Sequence, residues 1–231
     1  MARRAPPDRF QDMIEAATRV FIAQGYRRTQ MVDVADAMGV AKGTLYLYVE
    51  SKEALFDAAV RHADQPRPIP APAALPLRTP RPEDTLAEVE RRLVEGGALP
   101  ALAAALARSR VVDVRAELEA VLRELYGALA RHRNGIKLLD RCALDYPELA
   151  KLWYGAGREG ALALLTRYLE ERARRGRVRR FEDAAVAARV VLETLIFWAV
   201  HRHWDPHPQV VDDATAERTA IEFVLGALVK E

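Results

Sequence analysis

Residues 29–55 read TQMVDVADAMGVAKGTLYLYVESKEAL, and their spacing decides the fold of everything around them. Met31, Val34, Ala35 and Met38 recur at intervals of three and four, which predicts a short helix over about 29–38. Gly39 interrupts it and can take the left-handed backbone of a tight turn. A second short helix is predicted over about 41–49, with Ala41, Leu45 and Val49 on its inner face and Val40 packed beside them. Ala35 supplies the small side chain where two such helices cross. Ser51 then caps a further helix carrying Leu55, Ala58 and Ala59 inward. Two short helices joined at a glycine make a helix-turn-helix.

If Leu45 points inward, Lys42, Gly43, Tyr46 and Leu47 point outward, flanked by Thr44 and Tyr48. Solvent alone does not favour two tyrosines and a leucine on one short helix. A DNA major groove does. Lysine and threonine donate to base edges or phosphates, tyrosine hydroxyls donate to phosphates, leucine meets a thymine methyl, and glycine lets the backbone approach. Lys52 places a cation at a helix N-terminus, where phosphate is already favoured, and Thr29 is placed to do the same from the other side. Arg3 and Arg4 add charge to the N-terminal arm. Bulk charge does not carry this reading: residues 1–62 hold nine Lys/Arg against eight Asp/Glu, and the whole chain is +2. Placement carries it.

These residues resemble the N-terminal module of the TetR family of bacterial regulators. The matching positions are Val34-Ala35, Gly39-Val40, Gly43-Thr44-Leu45-Tyr46, Tyr48 and Ser51-Lys52-Glu53-Ala54-Leu55. The likeness covers about residues 8–62. It departs at Gln30, where the family has Ser or Thr and where Thr29 is read as the alternative cap, and at Val49, where it has Phe. The resemblance implies that the second short helix reads the groove and that Tyr46 and Lys52 touch phosphates. It also implies a divergent helical C-terminal domain that dimerises through its last helices and holds a small-molecule effector. The expected protein is a homodimeric repressor of a double-stranded palindromic operator. An activator, or an effector-binding helical protein with a weakened head, remains open.

Outward from this module the chain reads as all-α. Asp8 with Gln11 forms a capping box, and Phe10, Ile14, Ala17 and Phe21 line one face as far as Gly25, with Tyr26 folding back. Seven of the chain's thirteen prolines fall in residues 66–82, so that stretch is predicted as a non-helical surface connector. The predicted organisation is a three-helix helix-turn-helix domain over 1–62, a connector over 63–82 and a larger helical ligand-binding and dimerisation domain over 83–231. Helices resume at Pro82-Glu83-Asp84, with others after Asp113, over about 135–144, from Pro147 to near Gly176, over 182–203 and over 213–229. The 182–203 segment is apolar nearly all round, which asks for cover on two sides. Val190, Thr194, Phe197 and His201, with Ile221, Val224 and Leu228, are the predicted dimer contacts. Tyr126, Cys142, Trp153, Tyr154 and Phe197 are candidate ligand contacts, although aromatics at helical spacing also serve as plain core.

Other features are read more simply. His201, His203, Asp205 and His207 match no zinc spacing, so no metal or other cofactor is predicted. The arginines at 167, 172, 174, 175, 177, 179 and 180 read as cations at a helix end and an exposed turn. No phosphate loop, nucleophile elbow or paired carboxylates are present, so no enzymatic activity is expected. A lone Cys142, an N-terminus without an apolar run and the absence of a spanning stretch predict a cytoplasmic, nucleoid-associated protein with no membrane partner.

Overall fold

The computed structural model describes residues 8–229, and helix accounts for nearly all the regular structure among them. In chain order the α-helices are α1 (Asp8–Gln24), α2 (Met31–Ala37), α3 (Lys42–Leu45), α4 (Lys52–His62), α5 (Pro82–Gly96) and α6 (Pro100–Ala107). There follow α7 (Val114–Arg131), α8 (Arg133–Ala143), α9 (Pro147–Ala150), α10 (Gly160–Arg174), α11 (Ala184–Ala199) and α12 (Asp213–Leu228). Between α9 and α10 the helix widens to π geometry over Lys151–Glu159. Among the described residues no helix is long and apolar enough to cross a membrane.

The chain divides into two compact units, and the division does not follow the linear order expected. The first unit comprises residues 1–93 together with 134–154; the second comprises 94–133 and 155–231. Residues 134–154 join the N-terminal unit because their side chains and backbone amides complete it.

In the first unit, Phe10, Met13, Ile14, Ala17 and Phe21 of α1 are buried against Leu55, Ala58 and Ala59 of α4. Full burial of a phenylalanine or leucine contributes about 1.5–3 kcal/mol, so this seam dominates the unit's stability. Gly25 ends α1 with φ +87, a conformation only glycine takes freely. Tyr26 folds back onto Phe21, with ring centroids 6.3 Å apart. The Asp8 side chain of the expected capping box lies outside what is described; the Gln11 amide donates to Glu15 at 2.9 Å, and its carbonyl accepts from the Ile69 amide at 3.2 Å.

The proline-rich stretch is non-helical up to α5, as its composition predicts, yet it is no loose connector. Ile69 is buried, Arg67 pairs with Glu15 at 2.9 Å, and Leu77 pairs with Val49 in an isolated parallel bridge. It runs as a strap over the first unit.

In the second unit α11 is central. Ala188, Val191, Leu192 and Leu195 face Leu118, Val121 and Leu122 of α7, Leu165 and Leu169 of α10, and Ile221, Val224 and Leu225 of α12. Asp113, Asp183 and Asp212 cap α7, α11 and α12 by accepting backbone amides. Ile221, Val224 and Leu228, expected at a subunit contact, are 2–3% exposed and lie in this core. The physical reason is register. On α12 the outward stripe is Thr219, Phe223, Gly226 and Ala227, leaving Phe223 73% exposed. Arg172 also departs from expectation. It is fully buried, with Nε donating to Glu117 at 2.8 Å and Nη2 donating to the Ala105 carbonyl. Tyr168 donates to the same Glu117 oxygen at 3.2 Å.

Candidate nucleic-acid interface

The site is built on a frame of two short helices and a glycine. Gln30 precedes α2 in extended backbone, and its amide donates to the Asp33 carboxylate at 2.7 Å. Met31, Val34 and Ala35 are buried. Gly39 has φ +65, with nothing within 4 Å of a Cβ built there, so backbone conformation alone selects glycine. The Val40 amide closes the turn by donating to the Ala35 carbonyl at 3.0 Å.

α3 is shorter than expected, only Lys42–Leu45. After it the chain tightens: the Leu47 amide donates to Thr44 and the Tyr48 amide to Leu45 at 2.8 Å. Three residues per turn bring position 48 over position 45. Tyr48 is consequently fully buried beside Leu45 and Val49, whereas Ala41, just ahead of the helix, is exposed. Tyr48 is therefore a core residue rather than a groove contact, and burial pushes its phenol above the ordinary range. Lys42 and Gly43 are exposed, Tyr46 is 43% exposed, and Thr44 and Leu47 are half-buried. Four of these five match the outward set read from spacing, and Thr44 flanks them.

Thr29 is also corrected. It is 1% exposed, and its hydroxyl donates to the Gly25 carbonyl at 2.7 Å, bracing the α1–α2 corner. It neither caps α2 nor presents itself to a ligand. Arg3 and Arg4 lie outside the described residues. Lys52 sits at the start of α4, where its ammonium donates to the Tyr26 carbonyl at 3.2 Å and the Arg27 carbonyl at 3.4 Å. It lies 4.7 Å over the Tyr26 ring. Its charge is thus fixed in place, half-buried, at the junction of α4 with the corner after α1.

Spacing within the head gave no sign of what holds that corner from the far side of the sequence. The Asp145 carboxylate accepts from the Tyr26 amide at 3.1 Å and the Arg27 amide at 3.2 Å, while Arg141 donates to the Gln24 carbonyl at 3.0 Å. Tyr146 stacks on Tyr26 at 5.0 Å. Burial and the nearby Glu53 carboxylate raise the Tyr26 pKa, so the phenol stays neutral. A Cβ on Gly25 would come within 2.7 Å of Asp145 Oδ2. At the other end of α8, Asp64 accepts from the Asn134 amide at 2.9 Å and the Gly135 amide at 3.0 Å, capping that helix from the end of α4. A carboxylate just past a predicted helix is a weak signal for this. Only the three-dimensional pairing makes it legible.

Residues 13–59 match the family model described as bacterial regulatory proteins, tetR family. Over that stretch the head is similar to the TetR family. Its matched relatives include the uncharacterized HTH-type transcriptional regulator YhgD of Bacillus subtilis strain 168. That protein is 46% identical over 50 residues, which is 22% of this chain and 26% of the relative. The HTH-type transcriptional repressor KstR2 of Rhodococcus jostii RHA1 is 36% identical over 50 residues, 22% of this chain and 24% of the relative. The chain thus spans about a quarter of the length of each of these curated relatives. Across the whole chain the fold is similar to the solved ketosteroid transcriptional regulator KstR2 of Mycobacterium tuberculosis. That likeness covers 99% of both chains at a TM-score of 0.57 and 18% identity. The head therefore has the helix-turn-helix form of the transcription regulators it is similar to, and the whole chain shares the all-helical fold of the solved regulator.

The remaining candidate residues are distributed between the units. Cys142, Trp153 and Tyr154 belong to the first. Cys142 is buried against the Phe21 carbonyl, and burial pushes its thiol up to about 12, so it packs as a small apolar side chain. Trp153 donates to Asp140 at 3.3 Å. Tyr126 and Phe197 belong to the second unit, where the buried Tyr126 donates to the Trp198 carbonyl at 3.2 Å. Val190 and Phe197 are 61% and 42% exposed along α11 in line with Val186, with Thr194 half-buried between them and His201 half-buried beyond the helix end.

Proposed function

We propose that this chain is a homodimeric repressor that grips a palindromic operator with two TetR-type heads and is released by a small-molecule effector. The observation that carries the reading is the outward set of exposed Lys42, Gly43 and Tyr46 with half-buried Leu47, on a frame whose inner side is locked by Leu45, Tyr48 and Val49. Lys42 and Leu47 read base edges and a thymine methyl; Tyr46 and the fixed Lys52 charge bind phosphates. Dimerisation is assigned to the outward stripe of Val186, Val190 and Phe197 on α11 with Phe223 on α12. Isolated apolar side chains are ordinary on a surface, but three on one face of α11 with another exposed on the neighbouring α12 fit an isologous contact. Effector binding is assigned to the second unit, with Tyr126 and Phe197 as candidates; the effector acts by favouring a conformation with lower operator affinity.

The test is selection of duplexes from a random pool, followed by footprinting. A palindrome with half-sites about 34–36 Å apart is the expected product. Recovery of no preferred sequence would sink the reading. Leu47→Ala is expected to change preference at one base position by about 1–3 kcal/mol. Val190→Asp is expected to convert the dimer to monomer in sedimentation and to weaken operator binding with it. A dimer that persists in V190D would place the interface elsewhere.

A further inference from the structure

The proline-rich strap carries three arginines, at 67, 78 and 81. Two are paired within the protein, Arg67 with Glu15 at 2.9 Å and Arg81 with Asp84 at 2.9 Å. Arg78 is exposed and has no ion-pair or hydrogen-bond partner among the described residues. Its backbone, by contrast, is anchored on both sides. The Leu77 amide donates to the Tyr48 carbonyl at 2.7 Å, and the Glu50 amide donates to the Leu77 carbonyl at 3.0 Å. Immediately after it, the Thr79 amide donates to the Glu50 carboxylate at 3.0 Å and the Thr79 hydroxyl donates to Ser51 Oγ at 2.8 Å. Ser51 Oγ itself accepts the Ala54 amide that starts α4.

Four hydrogen bonds thus hold this segment against the corner that follows the recognition helix. In extended backbone, neighbouring side chains alternate sides. Leu77 shares the inward side with buried Val49, which leaves Arg78 on the outward side with exposed Glu50. The Glu50 carboxylate is engaged by the Thr79 amide. A guanidinium left without a partner, on a backbone fixed beside the segment bearing Tyr46 and Lys52, has the planar donor fork that suits a phosphate.

We propose that the strap is part of the DNA-binding surface and that Arg78 contacts a backbone phosphate flanking the groove read by Lys42 and Leu47. The proposal rests on the DNA-binding reading above. The strap serves the contact twice: it supplies the cation, and it fixes the Tyr48–Ser51 corner that carries the rest of the surface.

The experiment measures the affinity of the full-length wild type, Arg78→Ala and Arg78→Lys for the duplex selected by the wild type, between 50 and 200 mM salt. One lost phosphate contact flattens the log–log salt dependence by about 0.9 per bound head. The advantage of wild type over R78A should therefore shrink about three- to fourfold per head across that range. R78K should keep the wild-type slope, and sequence preference should be the same in all three. Melting curves report whether each variant is folded. An R78A slope equal to wild type overturns the proposal. So does weakened binding with an unchanged slope, because Arg78 would then act through folding. If the wild type binds no duplex, the DNA-binding reading fails before any variant is compared, and this proposal fails with it.

Discussion

Among the described residues each unit buries one glutamate, and the two are satisfied differently. Glu88 in the first unit accepts from Arg61 at 3.1 Å, Arg91 at 2.6 Å and Arg92 at 2.8 Å, and those arginines are 26–50% exposed. Glu117 in the second unit is held by Arg172, which is sealed from solvent and whose Nη1 has no hydrogen-bond partner among the described residues. The first arrangement keeps each guanidinium partly hydrated and replaceable. In the second, loss of Arg172 would leave buried Glu117 with only the exposed Arg108 guanidinium 3.7 Å away, and loss of Glu117 would strand a fully buried guanidinium. The first unit is braced by water-accessible pairs and by carboxylates on backbone amides, whereas the second holds a guanidinium sealed from solvent against its buried glutamate.

The sharpest way to break this contrast is to remove the sealed cation. Arg172→Ala is expected to cost about 3–5 kcal/mol in chemical denaturation. The double change Arg172→Met with Glu117→Leu should recover most of that. If the double variant were as unstable as R172A, the loss would come from packing rather than from the stranded carboxylate.

Next in size is the brace on the α1–α2 corner. Asp145→Ala removes the acceptor for the Tyr26 and Arg27 amides and should cost about 1–3 kcal/mol. Operator affinity should fall with it while the salt slope stays that of wild type, since no phosphate contact is lost. A flattened slope would mean that Asp145 shapes the charge presented to DNA.

The smallest effect belongs to Glu88. Burial alone would raise its carboxyl, but hydrogen bonds from Arg91 and Arg92 and the charge of Arg61 outweigh that and hold it at about 2, against an ordinary 4.5. A carboxyl depressed in the folded state stabilises above the ordinary value and loses that contribution as pH falls from about 4.5 through 2. Stability measured across that window should decline in the wild type and be flatter in Glu88→Gln. At neutral pH the substitution should cost about 1 kcal/mol, because the arginine partners are partly hydrated. Parallel pH profiles would assign the acid sensitivity to another carboxylate.

Much of this fold is legible locally. The spacing of Phe10, Ile14, Ala17 and Phe21, the turn at Gly39, and Pro82 and Asp113 at helix starts each encode their element within a few residues. The outward position of Lys42, Gly43, Tyr46 and Leu47 follows from the same periodicity. Periodicity failed where geometry changed. The tightening after Leu45 turned Tyr48 inward, and the π-helical stretch replaced part of a predicted α-helix. It also could not reveal partners far apart in sequence: Asp145 at Tyr26, Asp64 at the start of α8, and Glu117 beneath Arg172. Arg172 sits in a run of arginines that composition alone marks as solvated, and only the carboxylate from α7 explains its burial. Leu77 and Thr79 were hidden by their prolines, which describe what the strap cannot form but not what it touches.

The discontinuity of the first unit sets a timetable for synthesis. Its last segment, residues 134–154, is complete only about ninety positions after residue 62. At roughly 5–20 residues per second the ribosome needs about 5–20 seconds to bridge that interval. Throughout it, the corner after α1 lacks Asp145, Arg141 and Tyr146, and the end of α4 lacks the helix that Asp64 caps. A nascent chain therefore exposes α3 before it owns the braces for that corner, and the head reaches its finished form only once residue 154 has been made.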